Sequence, residues 1–230
     1  MPFSDPMADG PAIQASSQRA LKAGIDLKKI FSIVEIFRSE DTETPIVLMG
    51  YFNPIYIYGI EAFISDAESA GVDGLIIVDL PPEEPELLHI MENSSLQFIY
   101  LITPTTNDER LPKIIKHASG FIYYVSVTGI TGTKTASSEH VEIALSRIRR
   151  YTNLPIAVGF GIKTPEQAAK IAQYANAAVV GSALVSRVES NLDANGKPTS
   201  ACVTAVLEFV GQISEGIRSI SKNAQENAAE

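Results

Sequence analysis

A single cysteine, Cys202, is all the thiol chemistry in 230 residues. No intrachain disulfide can form, and nothing in the cysteine pattern points to an oxidising compartment. Positive charge is short as well: 18 Lys and Arg stand against 27 Asp and Glu, a formal net charge of −9. Such a surface repels nucleic acid and anionic membranes at long range, so neither is expected as a partner and a small ligand becomes the default. Histidine is scarce. His89, His117 and His140 fall in helical patterns without ligand spacing, and no metal site emerges from the acidic residues either. Long apolar runs are missing too. None reaches the roughly 18 residues of a bilayer span, and Pro2, Asp5 and Asp9 leave the N-terminus without a basic or apolar leader region. Neither insertion nor export is indicated, and the cytoplasm is the expected compartment.

What the chain does have is 45% hydrophobic residues, enough for a sizeable core, arranged in short β-branched runs that alternate with amphipathic stretches. The runs predict strands at Ile46 to Tyr51, Leu75 to Asp79, Phe98 to Ile102, Phe121 to Ser126, Pro155 to Phe160 and Ala177 to Gly181. Helices are predicted at Asp26 to Ser39, Glu61 to Ala70, Pro82 to Glu92, Asp108 to His117, Ser138 to Tyr151 and Thr164 to Tyr174. Caps support the boundaries: Thr164-Pro165-Glu166 opens a helix, and Gly71 and Gly120 follow helix ends. The strands are apolar throughout, as in a parallel sheet covered on both faces.

This α/β alternation fits either a doubly wound sheet or a (β/α)8 TIM barrel. The polar and glycine residues cluster after the strands: Tyr51 and Asn53, Asp79, Thr103, Ser126 to Gly132, Gly159 to Gly161, and Gly181-Ser182. A barrel gathers all such ends around one mouth, so the barrel is the expected fold. No linker interrupts the pattern, and a single domain over 1–230 with a frayed tail from 222 to 230 is expected. Six strands fall short of the usual eight, and residues 1–45 supply a loop and a helix but no further strand. The barrel as written is expected to be incomplete at its N-terminal side.

Three motifs can carry chemistry. Gly159-Phe160-Gly161 and Gly181-Ser182 end consecutive strands, the second opening a helix-like segment from Ala183 to Ser190. One Gly-Xaa-Gly alone is most simply a tight turn. Two in the final units of a barrel form the common phosphate site, where main-chain N–H groups and a helix dipole hold the anion. Pro2 to Pro11 is packed with turn formers and carries Asp5 and Asp9. Asp9, wedged between Ala8 and Gly10-Pro11, reads either as an ordinary turn aspartate or as a rigidly held general base. Thr128 to Lys134 is a glycine-hinged loop that reads as a lid or as a plain surface loop.

Pro2-Phe3-Ser4-Asp5-Pro6-Met7-Ala8-Asp9-Gly10-Pro11-Ala12-Ile13-Gln14 closely resembles the signature of the tryptophan synthase alpha chain family. Ser126 to Gly132, Gly159 to Ile162 and Gly181 to Ala183 resemble its later segments, in order and at compatible separations. The resemblance runs along essentially the whole chain. It implies a TIM-barrel lyase that cleaves indole-3-glycerol phosphate by a retro-aldol reaction into indole and glyceraldehyde 3-phosphate, in tryptophan biosynthesis. It implies no cofactor of the chain's own, and a tetramer with a pyridoxal-phosphate-dependent beta chain.

By the same resemblance, Asp9 is the catalytic aspartate that takes the indole N–H proton. Tyr123 lies near the substrate, Thr131 is the lid threonine, and Gly132, Gly161, Gly181 and Ser182 offer phosphate-binding amides. Phe160, Tyr51 and Met49 line the pocket, and Pro2, Asp5 and Asp79 face the beta chain. The resemblance also places a leading helix, two strands and a second catalytic carboxylate, a glutamate, ahead of the opening loop. A chain without them is expected to be impaired, whether Met1 is an internal methionine or the gene is shortened. A barrel that only docks on and regulates the beta chain is the alternative. Another phosphate-binding isomerase or synthase barrel would share the glycine turns but not the opening run.

Overall fold

The computed structural model describes residues 1–83, 89–90, 93–126, 138–159 and 161–227. They form two compact units, one of Met1–Leu101 with Asn107–Ile122, the other of Ile102–Thr106 with Tyr123–Glu230.

The first unit opens with two helices, α1 (Pro11–Lys22) and α2 (Leu27–Arg38). Pro11 takes the first position of α1, where its missing N–H costs nothing. The Asp26 carboxylate caps α2 by accepting from the Lys29 amide at 2.9 Å. Then come β1 (Val47–Gly50), α3 (Phe52–Tyr58), α4 (Ile60–Ala70), β2 (Gly74–Ile77) and β3 (Gln97–Phe98). The three strands pair in the parallel order β1-β2-β3, with Val47 opposite Gly74 and Gly74 opposite Gln97. Phe31 from α2 and Phe63 from α4 meet at 5.5 Å between ring centres, and the Tyr58 ring stands edge-on to both. These rings, with the fully buried Ile55 and Leu75, make the core of this unit.

One polar hub ties its loops together. The Arg38 side chain, only 15% exposed, donates to the carbonyls of Gly71 (2.8 Å), Asp41 (3.1 Å) and Thr44 (2.8 Å) and pairs with Asp73. Asp73 in turn accepts from the Ile46 amide at the mouth of β1. Arg38→Met keeps the apolar stem but orphans these acceptors, and is expected to cost about 2 kcal/mol. Urea unfolding should show this as a lower midpoint at unchanged slope.

The second unit contains β5 (Ile122–Val125, beginning one residue inside the first unit), α6 (Ser138–Ile148), β6 (Ile156–Gly159), α7 (Pro165–Ala172), β7 (Ala177–Val179), α8 (Ser182–Glu189) and α9 (Cys202–Asn227). Before them in the chain come β4 (Tyr100–Ile102), whose last residue belongs to the second unit, and, in the first unit, α5 (Leu111–Lys116). The sheet order is β4-β5-β6-β7, and β6 and β7 are parallel with Gly159 opposite Val179. Phe209 and Ile213 of α9 join Ala168 of α7 and Ile162 in a buried cluster, onto which Leu184 of α8 and Ile217 pack.

The α/β alternation is as expected from the sequence, with four differences. The run from Phe98 to Ile102 is two strands, not one. Ser119 explains the break: its hydroxyl accepts from the Phe98 amide (2.7 Å) and its own amide donates to the Phe98 carbonyl (2.9 Å), so Phe98 has no groups left for a strand on that side. The helix expected from Asp108 starts at Leu111, because Asn107 accepts from the Arg110 amide and holds a turn ahead of it. Three helices were not foreseen, α1, α3 and the 26-residue α9. The last runs to Asn227, past the Lys222 at which a frayed tail was expected, and residues 228–230 lie outside the described part. The helix expected over Pro82 to Glu92 also falls mostly outside it. No described helix is long and apolar enough to cross a membrane.

Candidate active site

In the first unit the opening loop is fastened to the C-terminal end of β1. Tyr51, the residue after that strand, is 4% exposed. Its hydroxyl oxygen accepts from the Ala8 amide at 3.0 Å, which sets the hydroxyl beside Asp9, whose charged form it favours. The Phe3 ring lies 5.5 Å from the Tyr51 ring, so both ends of the loop rest on one aromatic side chain. Asp9 is half-buried. Loss of water lifts its carboxyl above the ordinary aspartate range, while the Tyr51 hydroxyl and the Met1 ammonium pull it back down. A carboxylate so placed is a better proton acceptor than a solvated one, and it is fixed in direction.

The rest of this cluster is structural in character. Met1 packs against Gly50 and its amino group donates to the Met49 carbonyl at 2.7 Å, leaving the Met49 side chain exposed. Asp79 is exposed and accepts from the Phe52 amide at 2.8 Å, which satisfies the first N–H of α3. Asp5 is exposed and accepts from the Ser4 hydroxyl, and Pro2 is half-buried.

In the second unit the glycine turns sit at the C-terminal ends of β6 and β7. The register of Gly159 opposite Val179 puts Gly161 and Gly181 each two residues beyond a paired position, so the turns are neighbours. Gly161 has φ +84°, a left-handed conformation in which any side chain is strained. Gly181 precedes α8 with no side chain capping it, and a Cβ there would meet nothing within 4 Å. Gly161, Gly181 and Ser182 are exposed. The first amides of α8 have no acceptor within their own helix, and the helix dipole adds partial positive charge beside them, a favourable place for an anion.

Tyr123 of β5 lies beneath these turns. A Cβ built at Gly159 would fall 2.5 Å from its hydroxyl oxygen. Burial raises the Tyr123 hydroxyl above its usual range, so it stays protonated as a donor. Among the described residues no group of three His, Cys, Asp or Glu side chains comes together to hold a metal.

The model of the family described as tryptophan synthase alpha chain matches residues 1–217. This chain belongs to that family. The alpha subunit of tryptophan synthase from Legionella pneumophila str. Paris is 39% identical, with a TM-score of 0.85 over 96% of this chain and 80% of that one. A tryptophan synthase structure from M. tuberculosis in its aminoacrylate-bound form is 30% identical, with a TM-score of 0.80 over 94% of this chain and 78% of that chain. The a2b2 complex from Pyrococcus furiosus contains a chain 36% identical to this one, with a TM-score of 0.80 over 93% and 83% of the two. Similarity at this level gives the chain the β/α-barrel fold of the tryptophan synthase alpha family.

Against that family's pattern, Asp9, Tyr51, Met49, Pro2, Asp5 and Asp79 all belong to the first unit, and Tyr123, Gly161, Gly181 and Ser182 to the second. Thr131, Gly132 and Phe160 lie outside the described residues. Two features went unread in the sequence. Tyr51, expected to line a pocket, accepts from the Ala8 amide through its hydroxyl, a contact across 43 residues that no local pattern reveals. Gly159 is a packing position as much as a turn. Its only sequence signal was its place next to Phe160-Gly161.

Proposed function

We propose that this member of the tryptophan synthase alpha family cleaves indole-3-glycerol phosphate into indole and glyceraldehyde 3-phosphate. The observation that supports this most is Asp9, half-buried, held by the Tyr51 hydroxyl and lifted in basicity by loss of water.

The reaction balances without an oxidant or reductant. Asp9 accepts the ring N–H proton as a second acid–base group, by the family resemblance a glutamate ahead of the opening loop without which turnover is impaired, protonates the ring carbon that bears the side chain. That second group then removes the proton of the neighbouring hydroxyl. The carbon–carbon bond breaks, its electron pair returns to the ring, the hydroxyl carbon becomes the aldehyde, and Asp9 returns its proton to the ring nitrogen. The main-chain amides of Gly161, Gly181 and Ser182 hold the phosphate, with Gly132 adding another. Tyr123, Met49 and Phe160 border the substrate, and Thr131 closes on the base. Pro2, Asp5 and Asp79 face a pyridoxal-phosphate-dependent beta chain that consumes the indole. The work is done in the cytoplasm, and this chain carries no cofactor of its own.

The test is indole release from indole-3-glycerol phosphate, with and without a beta chain. The chain contains no tryptophan, so indole fluorescence is read without tryptophan background from this chain. Indole and glyceraldehyde 3-phosphate are expected in equal amounts, faster with the beta chain present. Substrate binding with neither product formed in the complex would overturn the reading.

A further inference from the structure

We infer that Tyr51 is a positioning residue for Asp9: it clamps the opening loop to the end of β1 and aims the carboxylate. This rests on the reading of Asp9 as the proton acceptor, and deepens it.

One hydroxyl does two things here. Its oxygen accepts from the Ala8 amide at 3.0 Å, which fixes the backbone immediately before Asp9. Set there, the hydroxyl favours the charged form of the Asp9 carboxyl. The Tyr51 side chain cannot swing away to do otherwise. It is 4% exposed, the Phe3 ring lies 5.5 Å away, and the next residue is anchored where Phe52 N–H donates to Asp79 Oδ1 at 2.8 Å. A carboxylate on a loop of Ser4, Asp5, Pro6, Met7 and Ala8 would otherwise sample several directions, and proton transfer falls steeply when the acceptor is misaimed by about 1 Å. Burial and the neighbouring Asp9 both keep the phenol protonated.

The charged groups around the pair are few. Asp9 is faced by the Met1 ammonium, and Tyr51 by Asp9 and Asp79. Asp5, on the same loop, is taken up by the Ser4 hydroxyl.

Tyr51→Phe keeps the ring against Phe3 and deletes only the hydroxyl. In the full chain with its beta partner, kcat should fall about 10- to 100-fold with little change in KM. The acid limb of the pH profile should move to higher pH, because the lost donor had favoured the charged carboxylate. An independent readout is the carbon-13 carboxylate titration of Asp9, assigned by its disappearance in Asp9→Asn. It should move to higher pH in Tyr51→Phe, with an unchanged thermal transition showing that the fold is intact. Asp79→Asn, which leaves an acceptor for the Phe52 amide, should keep the Asp9 titration near its wild-type position. An Asp9 titration identical in wild type and Tyr51→Phe overturns the inference. If instead that titration moves but Asp9→Asn still releases indole at the wild-type rate, the positioning stands and the reading of Asp9 as the base is what fails.

Discussion

Asp9→Asn is expected to lower the rate of indole release by about 10² to 10⁴-fold, the usual contribution of a positioned acid–base group. Asparagine keeps the size of the side chain, and the Ala8 amide still donates to the Tyr51 hydroxyl, so the loop stays fastened to β1. It cannot accept the ring proton. The fall should therefore appear in kcat, with substrate affinity nearly unchanged. The thermal midpoint should not drop, because the buried carboxylate that is removed had been held at a cost in solvation. The wild-type pH profile carries the same signature. Burial raises the Asp9 carboxyl, so the active carboxylate is present at neutral pH and is lost as pH falls through that raised value, earlier than for a solvated aspartate. Equal rates for the two proteins, measured by indole fluorescence under single turnover, would remove Asp9 from the mechanism.

Gly159→Val should be the most destabilising single change at the second cluster. The first added carbon would already sit 2.5 Å from the Tyr123 hydroxyl oxygen, 2.7 Å from its ring edge and 2.9 Å from the Val179 Cβ. Both residues are on strands, β5 and β7, that cannot move independently of the sheet, and Gly159 itself is the last residue of β6. Overpacking of this kind costs about 3 kcal/mol. It should also disturb the turn at Gly161, two residues on, and so weaken inorganic phosphate binding as followed by amide shifts of Gly161, Gly181 and Ser182. Pairing the change with Tyr123→Ala tests the cause. If the tyrosine is what the new side chain strikes, the double variant is more stable than the sum of the two losses allows. Strict additivity would move the clash to Val179.

How much of this could be read from the residues divides along physical lines. The alternation of strands and helices was legible because burial on both faces demands apolar runs, as at Leu75 to Ile77 and Ile156 to Val158, all buried. The start of α7 was legible because Thr164-Pro165-Glu166 is a local device, and the Thr164 hydroxyl does accept from the Gln167 amide. The α3 helix was missed because its start depends on an amide bonding Asp79, 27 residues away. Its local signals, Pro54 in the first turn and Gly59 at the end, were present but short. The α9 helix was an oversight of period: Val206, Phe209, Ile213, Ile217 and Ile220 recur at three and four residues.

At the site, the glycine turns and Asp9 stood out by composition. What Tyr51 does for Asp9 did not, since a hydroxyl buried among aromatic rings looks in sequence like any other strand-end tyrosine. The same limit hid the Arg38 hub, whose acceptors are three main-chain carbonyls, which leave no trace in residue identity, and the Asp73 carboxylate 35 residues away.

The parallel pairing of β6 with β7 has a further consequence for how this protein can change over generations. Both glycine turns sit the same number of residues past Gly159 and Val179. One residue added to either strand would displace its turn by about 3.3 Å and rotate it to the opposite side of the sheet. Descendants of this chain can therefore exchange side chains along the two strands while the length of each segment stays frozen. Insertions and deletions should accumulate in distant loops such as Asn191 to Thr199 instead.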